Sequence, residues 1–280
     1  MKNMKNVLSI AGSDCSAGAG IQADLKTFVA NGVYGMTVIT SLTAQNPQKV
    51  KMLEDVSIEM LEKQIEAIFD VMEVSAVKIG MLNSKENGEV IYEKLLKYKV
   101  KNIVLDPVMI ATSGNSLIKD ETKNFLVNKL FKIADIITPN LNETKEIVKI
   151  ILKNENIEDI NSIEKMKTYG KIIADFTKKW ILVKGGHLSN SAVDILINKE
   201  KVYVLKGEKI SSNNTHGTGC SLSSAIASNL AKGYSMLDSV KKAKNFVLCS
   251  IRNSVNFGEI AGTINQMGEI YKNIDIEKLY

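Results

Sequence analysis

Asn213-Asn214-Thr215-His216-Gly217-Thr218-Gly219-Cys220, followed at once by Ser221-Leu222-Ser223-Ser224-Ala225-Ile226-Ala227, reads as a loop that opens a helix. Gly217 and Gly219, one residue apart, let the backbone turn its N–H groups the same way, and Ser221 to Leu230 then supplies a helix of small residues. The first-turn amides of such a helix lack intrahelical partners. With the helix dipole they can hold a phosphate, or the negative charge that develops as a phosphoryl group is transferred. Cys220 stands inside that positive end, where a thiol is expected to lose its proton more easily and to act as a base. Taken alone, the stretch fits equally a closely packed helix start with Cys220 as a small buried hydrophobe.

Far upstream, Val7-Leu8-Ser9-Ile10-Ala11 predicts a buried strand that empties into Gly12-Ser13-Asp14-Cys15-Ser16-Ala17-Gly18-Ala19-Gly20, with a helix from near Ile21. No Lys-Ser or Lys-Thr pair follows these glycines, so the loop is not a Walker A phosphate loop. Gly18, Gly20 and Ala23 match a dinucleotide fingerprint loosely. The loop is too long for it, and Val38 to Thr40 stand about 20 positions on, where an acidic residue belongs. A dinucleotide-dependent oxidoreductase is therefore set aside. A glycine-rich loop at a strand end still suits a small-ligand crevice, or simply a tolerant strand-to-helix turn.

Between these two loops strands and helices alternate. Gly35 to Leu42 reads as a strand ending in Thr43-Ala44-Gln45-Asn46-Pro47; Ile58, Leu61, Ile65, Ile68 and Met72 recur at helical spacing; Ala76 to Met81 is again a strand. A helix through Val90 to Leu96, a strand Asn102 to Leu105, a helix around Thr122 to Phe131 and strands at Ala134 to Thr138 and from Trp180 follow. Val193 to Ile197 and Val202 to Leu205 predict an antiparallel hairpin near an edge, and Ser235 to Arg252 a late helix. The tail beyond has no clear pattern. Such alternation predicts an α/β fold with a mostly parallel central sheet covered by helices on both faces.

Parallel sheets place ligands at the carboxyl ends of their strands. Asp106, opening Asp106-Pro107-Val108-Met109, and Glu143, closing Thr138-Pro139-Asn140-Leu141-Asn142-Glu143, would both lie on that edge. They could hold magnesium through oxygen ligands and water; Asp106 also fits a turn before proline, and Glu143 a first-turn helix acid. Lys184 is placed to meet anionic groups. Gln45 offers a donor and an acceptor to a heterocycle, or to water.

The chain of 280 residues suits one extensive core, and a single domain over 1–280 is expected. Its 45% hydrophobic and 24% charged residues are ordinary for a globular protein, and no charge-free apolar run is long enough to span a bilayer. Cys15, Cys220 and Cys249 are too few and scattered for a disulfide framework or zinc knuckle, which suits a reducing, cytoplasmic setting. The net charge of +5 is spread over lysines such as Lys94, Lys97, Lys99, Lys178 and Lys179, so solvated helix faces are expected rather than a nucleic-acid surface.

Seven segments in order, SIAGSDCSAGAGIQADLKTF, YGMTVITSLTAQN, VKIGML, DPVM, TPNLNE, LVKGGH and THGTGCSLSSAIASNLAKG, resemble the ribokinase-like superfamily. More closely, they resemble its hydroxymethylpyrimidine and phosphomethylpyrimidine kinases of thiamine synthesis, over roughly Val7 to Arg252. The resemblance implies a ribokinase-like fold and ATP-dependent, magnesium-assisted phosphorylation of a hydroxymethyl group on a planar heterocycle, first the free pyrimidine and then its monophosphate. Gln45 matches the glutamine that pairs with the aminopyrimidine and Met81 the residue near the ring, with Gly12 and Asp24 of the opening motif also at the substrate. Asp106 and Glu143, with Asn140, match the magnesium and phosphate shell; Lys184 and Thr215 match groups near the triphosphate; Gly217, Thr218 and Gly219 match the anion hole. Cys220 stands where many sugar kinases of the superfamily carry an aspartate base, as in the pyrimidine-kinase branch. Cys15 replaces the usual proline and Ala17 the usual glycine, which bears on loop rigidity and substrate fit. Relatives imply a homo-oligomer. The nearest alternative is a pyridoxine, pyridoxal or pyridoxamine kinase, against which Gln45 argues; a silent ligand-binding protein is disfavoured by Asp106, Glu143, Lys184 and Cys220 standing together.

Overall fold

The computed structural model describes residues 4–109, 118–186, 192–258 and 260–273. β1 (Asn6–Asp14) passes through the glycine-rich loop into α1 (Gly20–Ala30), and β2 (Tyr34–Gln45) returns parallel to β1. β3 (Val50–Asp55) folds back antiparallel on β2, and α2 (Ile58–Phe69), β4 (Ala76–Ile79), α3 (Lys85–Lys97) and β5 (Ile103–Leu105) continue the alternation. α4 (Asp120–Phe125) runs through a π-helical turn at Leu126–Leu130 into α5 (Phe131–Ile133); β6 (Ile136–Ile137), α6 (Leu141–Leu152), α7 (Ile163–Thr177) and β7 (Trp180–Gly185) follow. The antiparallel hairpin β8 (Ala192–Ile197) and β9 (Val202–Gly207) leads to α8 (Thr218–Ala231) and α9 (Met236–Arg252). A small hairpin, β10 (Val255–Phe257) and β11 (Ile260–Thr263), and α10 (Gly268–Asn273) complete the described elements.

One sheet carries nine of these strands in the order β3-β2-β1-β4-β5-β6-β7-β8-β9. It is parallel from β2 to β7 and antiparallel at both edges. The expected edge hairpin is present. β3 and α7 were not legible as elements: β3 is an edge strand whose Lys51 and Glu54 blur its alternation, and α7 follows a polar connection.

Alternation along each strand sorts the core into two layers. Leu8, Val77, Ile103, Ile137 and Ile181 join a cluster with Leu61, Ile65, Ile91, Ile147 and Ile173 from α2, α3, α6 and α7. Val7, Ala76, Val104, Ile136 and Leu182 join the opposite cluster with Phe28 of α1, Leu222 and Ile226 of α8 and Val240 of α9. α8 is buried from Ser221 to Ala231, which its serines and alanines permit because they let neighbouring backbones approach closely.

Candidate active site

The same period of two builds the site. Counting two residues on from Ala76, Val104, Ile136 and Leu182, all on the α8 side, reaches Lys78, Asp106, Thr138 and Lys184. Asp106 is 2% exposed, and its Oδ1 accepts hydrogen bonds from Thr138 Oγ1 and Lys184 Nζ, both at 2.9 Å. Burial alone would raise its pKa, but Lys184 and then Lys78 bring it below the ordinary value, so the carboxylate is charged. Burial likewise works against the Lys184 ammonium, and Asp106 and Glu143 outweigh it and tighten its hold on the proton.

Glu143 and Asn140 form a reciprocal cap at the start of α6: Asn140 N–H donates to Glu143 Oε2 at 2.8 Å, and Glu143 N–H to Asn140 Oδ1 at 2.9 Å. Lys184 N–H donates to Pro139 O at 2.9 Å, which brings this cap beside β7. Glu143 is buried, and that burial, reinforced by Asp106 and opposed by Lys184, raises its pKa. Both of the sequence's first-turn and ligand-edge readings of Glu143 thus meet in one place.

α8 begins against this pair. Gly217 has φ +87° and a Cβ on it would lie 1.9 Å from Gly18 O, so only glycine fits where the two loops cross. A Cβ on Gly219 would stand 3.5 Å from both Asp106 Oδ2 and Lys184 Nζ. Thr218 opens the helix, its N–H donating to Thr215 O at 3.2 Å, and Thr215 itself is exposed. Gly217, Thr218, Gly219 and Cys220, at the start of α8, therefore stand beside Lys184 and Asp106.

The thiol of Cys220 differs from expectation. Burial pushes it up to about 11, Asp24 and Asp106 adding to the rise, while Lys78 and the Gly20 N–H oppose it without prevailing. The helix start does not suffice to ionise it at neutral pH.

At the other end of the site Gly12 and Met81 meet: a Cβ on Gly12 would come within 2.9 Å of Met81 Cε and 3.0 Å of Ser41 Oγ. Gln45 closes β2, half-buried, its Oε1 3.3 Å from Thr43 Oγ1. Cys15 lies alongside, its Sγ donating to Gln45 O at 3.1 Å. Asp24, expected at the substrate, is instead wholly buried, and Ser9, Lys78 and Ser224 take up its two oxygens.

Sequence reasoning passed over three further features. Lys78 stands inside the VKIGML segment, where a lysine in an otherwise apolar buried strand was the available signal. His216 Nε2 lies 3.3 Å from Asp14 Oδ2, joining the two glycine loops. The unplaced tail clasps the second loop: Gly262 N–H donates to Asn214 Oδ1 at 2.7 Å, Ile264 N–H to His216 O at 3.3 Å and Gln266 Nε2 to Ser221 Oγ at 3.0 Å. His187 of the LVKGGH segment lies outside the described residues.

A parallel sheet with antiparallel edges, a glycine-rich helix start set against a lysine paired with a buried aspartate, and a polar amide at the far strand end define a ribokinase-like small-molecule phosphotransferase. The sequence pattern of phosphomethylpyrimidine kinase matches residues 14–265, and the chain belongs to that family. It is 40% identical over 253 residues to the hydroxymethylpyrimidine/phosphomethylpyrimidine kinase of Aquifex aeolicus, covering 90% of this chain and 96% of that protein. A phosphomethylpyrimidine kinase structure from Clostridium difficile shares 45% identity at a TM-score of 0.77, over 87% of this chain and 98% of that one. The ADP complex of Bacillus subtilis pyridoxal kinase superposes with a TM-score of 0.87 at 32% identity, over 96% and 99%.

Proposed function

We propose that this chain transfers the γ-phosphoryl group of ATP to the hydroxymethyl group of 4-amino-5-hydroxymethyl-2-methylpyrimidine, and then phosphorylates the monophosphate, in thiamine biosynthesis. The observation that carries this reading is the start of α8 facing the Asp106–Lys184 pair, with Gln45 at the other end of the same strand edge. The Aquifex relative's name and the ADP in the Bacillus neighbour support it. Gln45 pairs with the aminopyrimidine, and Gly12 and Met81 bound the ring. Lys184, Thr215, Thr218 and Asn140 meet the phosphates, and the Gly217 to Gly219 amides stabilise the charge on the moving group.

Magnesium fits this donor set. Among the described residues no group of three His, Cys, Asp or Glu side chains forms a dedicated metal cage, and magnesium is commonly bound by one or two carboxylates, water and phosphate. Asp106 and Glu143 would hold it, and it would neutralise charge on the phosphate oxygens. Cys220 accepts the hydroxyl proton as its thiolate, after its own proton has left to solvent, while the new O–P bond forms and the bond to the departing ADP breaks. Because burial pushes the thiol up to about 11, little thiolate is present at neutral pH, and its share belongs at the low end of general-base effects, roughly a hundredfold.

The B6-vitamer reading keeps a place because the Bacillus pyridoxal kinase superposes so closely. ATP consumption with the pyrimidine, its monophosphate and pyridoxal, measured side by side with magnesium, separates the two. Pyrimidine turnover is expected; turnover of pyridoxal alone would move the protein to the other reading, and none with any of the three would remove the kinase assignment. Gln45→Met should reduce pyrimidine use far more than pyridoxal use.

We infer in addition one domain over 1–280, a cytoplasmic setting and a homo-oligomer. The continuous nine-stranded sheet supports the first, and the unpaired Cys15, Cys220 and Cys249 support the second. No helix among the described residues is long and apolar enough to cross a membrane. Exposed Leu42, Val50 and Met52 at the β2–β3 edge support the third.

A further inference from the structure

β4 reads Ala76-Val77-Lys78-Ile79 and is buried at every position, yet its third residue is a cation. The Lys78 ammonium is fully enclosed and lies 2.7 Å from Asp24 Oδ2, equally enclosed. Gly80, two residues along the same face, makes the room: a Cβ there would stand 2.7 Å from Lys78 Nζ. Asp24 also accepts from Ser9 Oγ at 2.5 Å and from Ser224 Oγ at 2.7 Å. One carboxylate so ties together β1, β4, α1 and α8, and Ser224 sits one helical turn beyond Cys220.

A tie of this kind does not require charges, since a buried ion pair replaced by apolar groups of like volume is often no less stable. What distinguishes this pair is its position beneath a site where negative charge gathers. We propose that Lys78 is a positioning residue for phosphoryl transfer: Asp24 fixes its ammonium below the start of α8, where it offsets charge developing in the site, and through Ser224 the same carboxylate holds the anion-binding amides in place. The proposal rests on the kinase reading above. Both Asp106 and Cys220 feel the Lys78 charge, which agrees with that location.

The test is steady-state kinetics and thermal unfolding of the full chain, with ATP, magnesium and the pyrimidine, for wild type, Lys78→Met, Asp24→Asn, the double variant and Ser224→Ala. Wild-type turnover checks the kinase reading by itself; its absence removes both claims. Each single charge variant leaves an uncompensated buried group and is expected to melt at lower temperature, whereas the double variant recovers the melting point. Its kcat should nevertheless stay down roughly ten- to a hundredfold, with KM within about threefold of wild type. Recovery of kcat along with stability would overturn the proposal, because the pair would then be a structural tie only. Should the double variant not fold, Ser224→Ala decides: it keeps both charges and is expected to lose about three- to tenfold in kcat with KM held. An unchanged kcat there would overturn the proposal as well.

Discussion

Ala17 has φ +60°, a left-handed conformation that costs an L-residue roughly 1–2 kcal/mol, at the position where the family resemblance places a glycine. Ala17→Gly should therefore raise stability, by about 0.5–1 kcal/mol once glycine's greater unfolded-state freedom is subtracted, and urea unfolding of the two proteins measures it. Cys220 makes the complementary point about function. Cys220→Ala is expected to lower kcat roughly a hundredfold while the melting temperature moves little, and a variant of full activity would remove the thiol from the reaction. Single residues were legible in the sequence where strand position decides their placement, as with Asp106, Lys184 and Gln45 at the strand ends. They were not where the decisive quantity is what lies behind them: Asp24 looks like a ligand group until Ser9, Lys78 and Ser224 are seen to enclose it, and Cys220 looks acidified until its burial is counted.

The start of α8 separates two glycines of similar appearance. Gly217→Ala would drive a Cβ to 1.9 Å from Gly18 O in a left-handed conformation, so the whole loop must shift. A loss of stability of several kcal/mol and of activity together is expected, read by thermal unfolding and turnover. Gly219→Ala meets Asp106 Oδ2 and Lys184 Nζ at 3.5 Å, ordinary contact distance, so the protein should fold normally. The added methyl nevertheless occupies the space between the amides and the ion pair, and kcat should fall at least tenfold at an unchanged melting temperature. Equal melting losses in both variants would show that crowding at Gly219 is structural. Elements with a strong period were readable in advance, among them α2, α9 and the parallel strands. β3 and the tail were not, because an edge strand pairs on one side only and the β10–β11 hairpin is held by contacts to Asn214 and His216 far away in sequence.

Across the whole molecule the two glycine loops, 202 residues apart at Asp14 and His216, are joined by charge and hydrogen bonding. Burial would raise the Asp14 carboxyl, but hydrogen bonds from His216, Ser16 and Ala19 lower it from 3.8 to about 2. Because the folded value lies below the unfolded one, this contribution is complete above about pH 4 and is lost as pH falls through 2. It is worth on the order of 1–2 kcal/mol. The stability difference between wild type and Asp14→Asn should accordingly shrink between pH 4 and pH 2; a constant difference would show that Asp14 has the same pKa folded and unfolded. We also expect one cooperative thermal transition, as befits a single sheet, and two resolved transitions would divide the domain. The clasp of Gly262, Ile264 and Gln266 on the second loop carries a consequence for biogenesis. Every residue assigned to phosphoryl transfer has left the ribosome well before residue 260 does, so a nascent chain can assemble its sheet yet must wait for this last segment before the phosphate loop is fastened. Activity should therefore switch on late in synthesis, and a chain cut at residue 258 should remain largely folded and nearly inert.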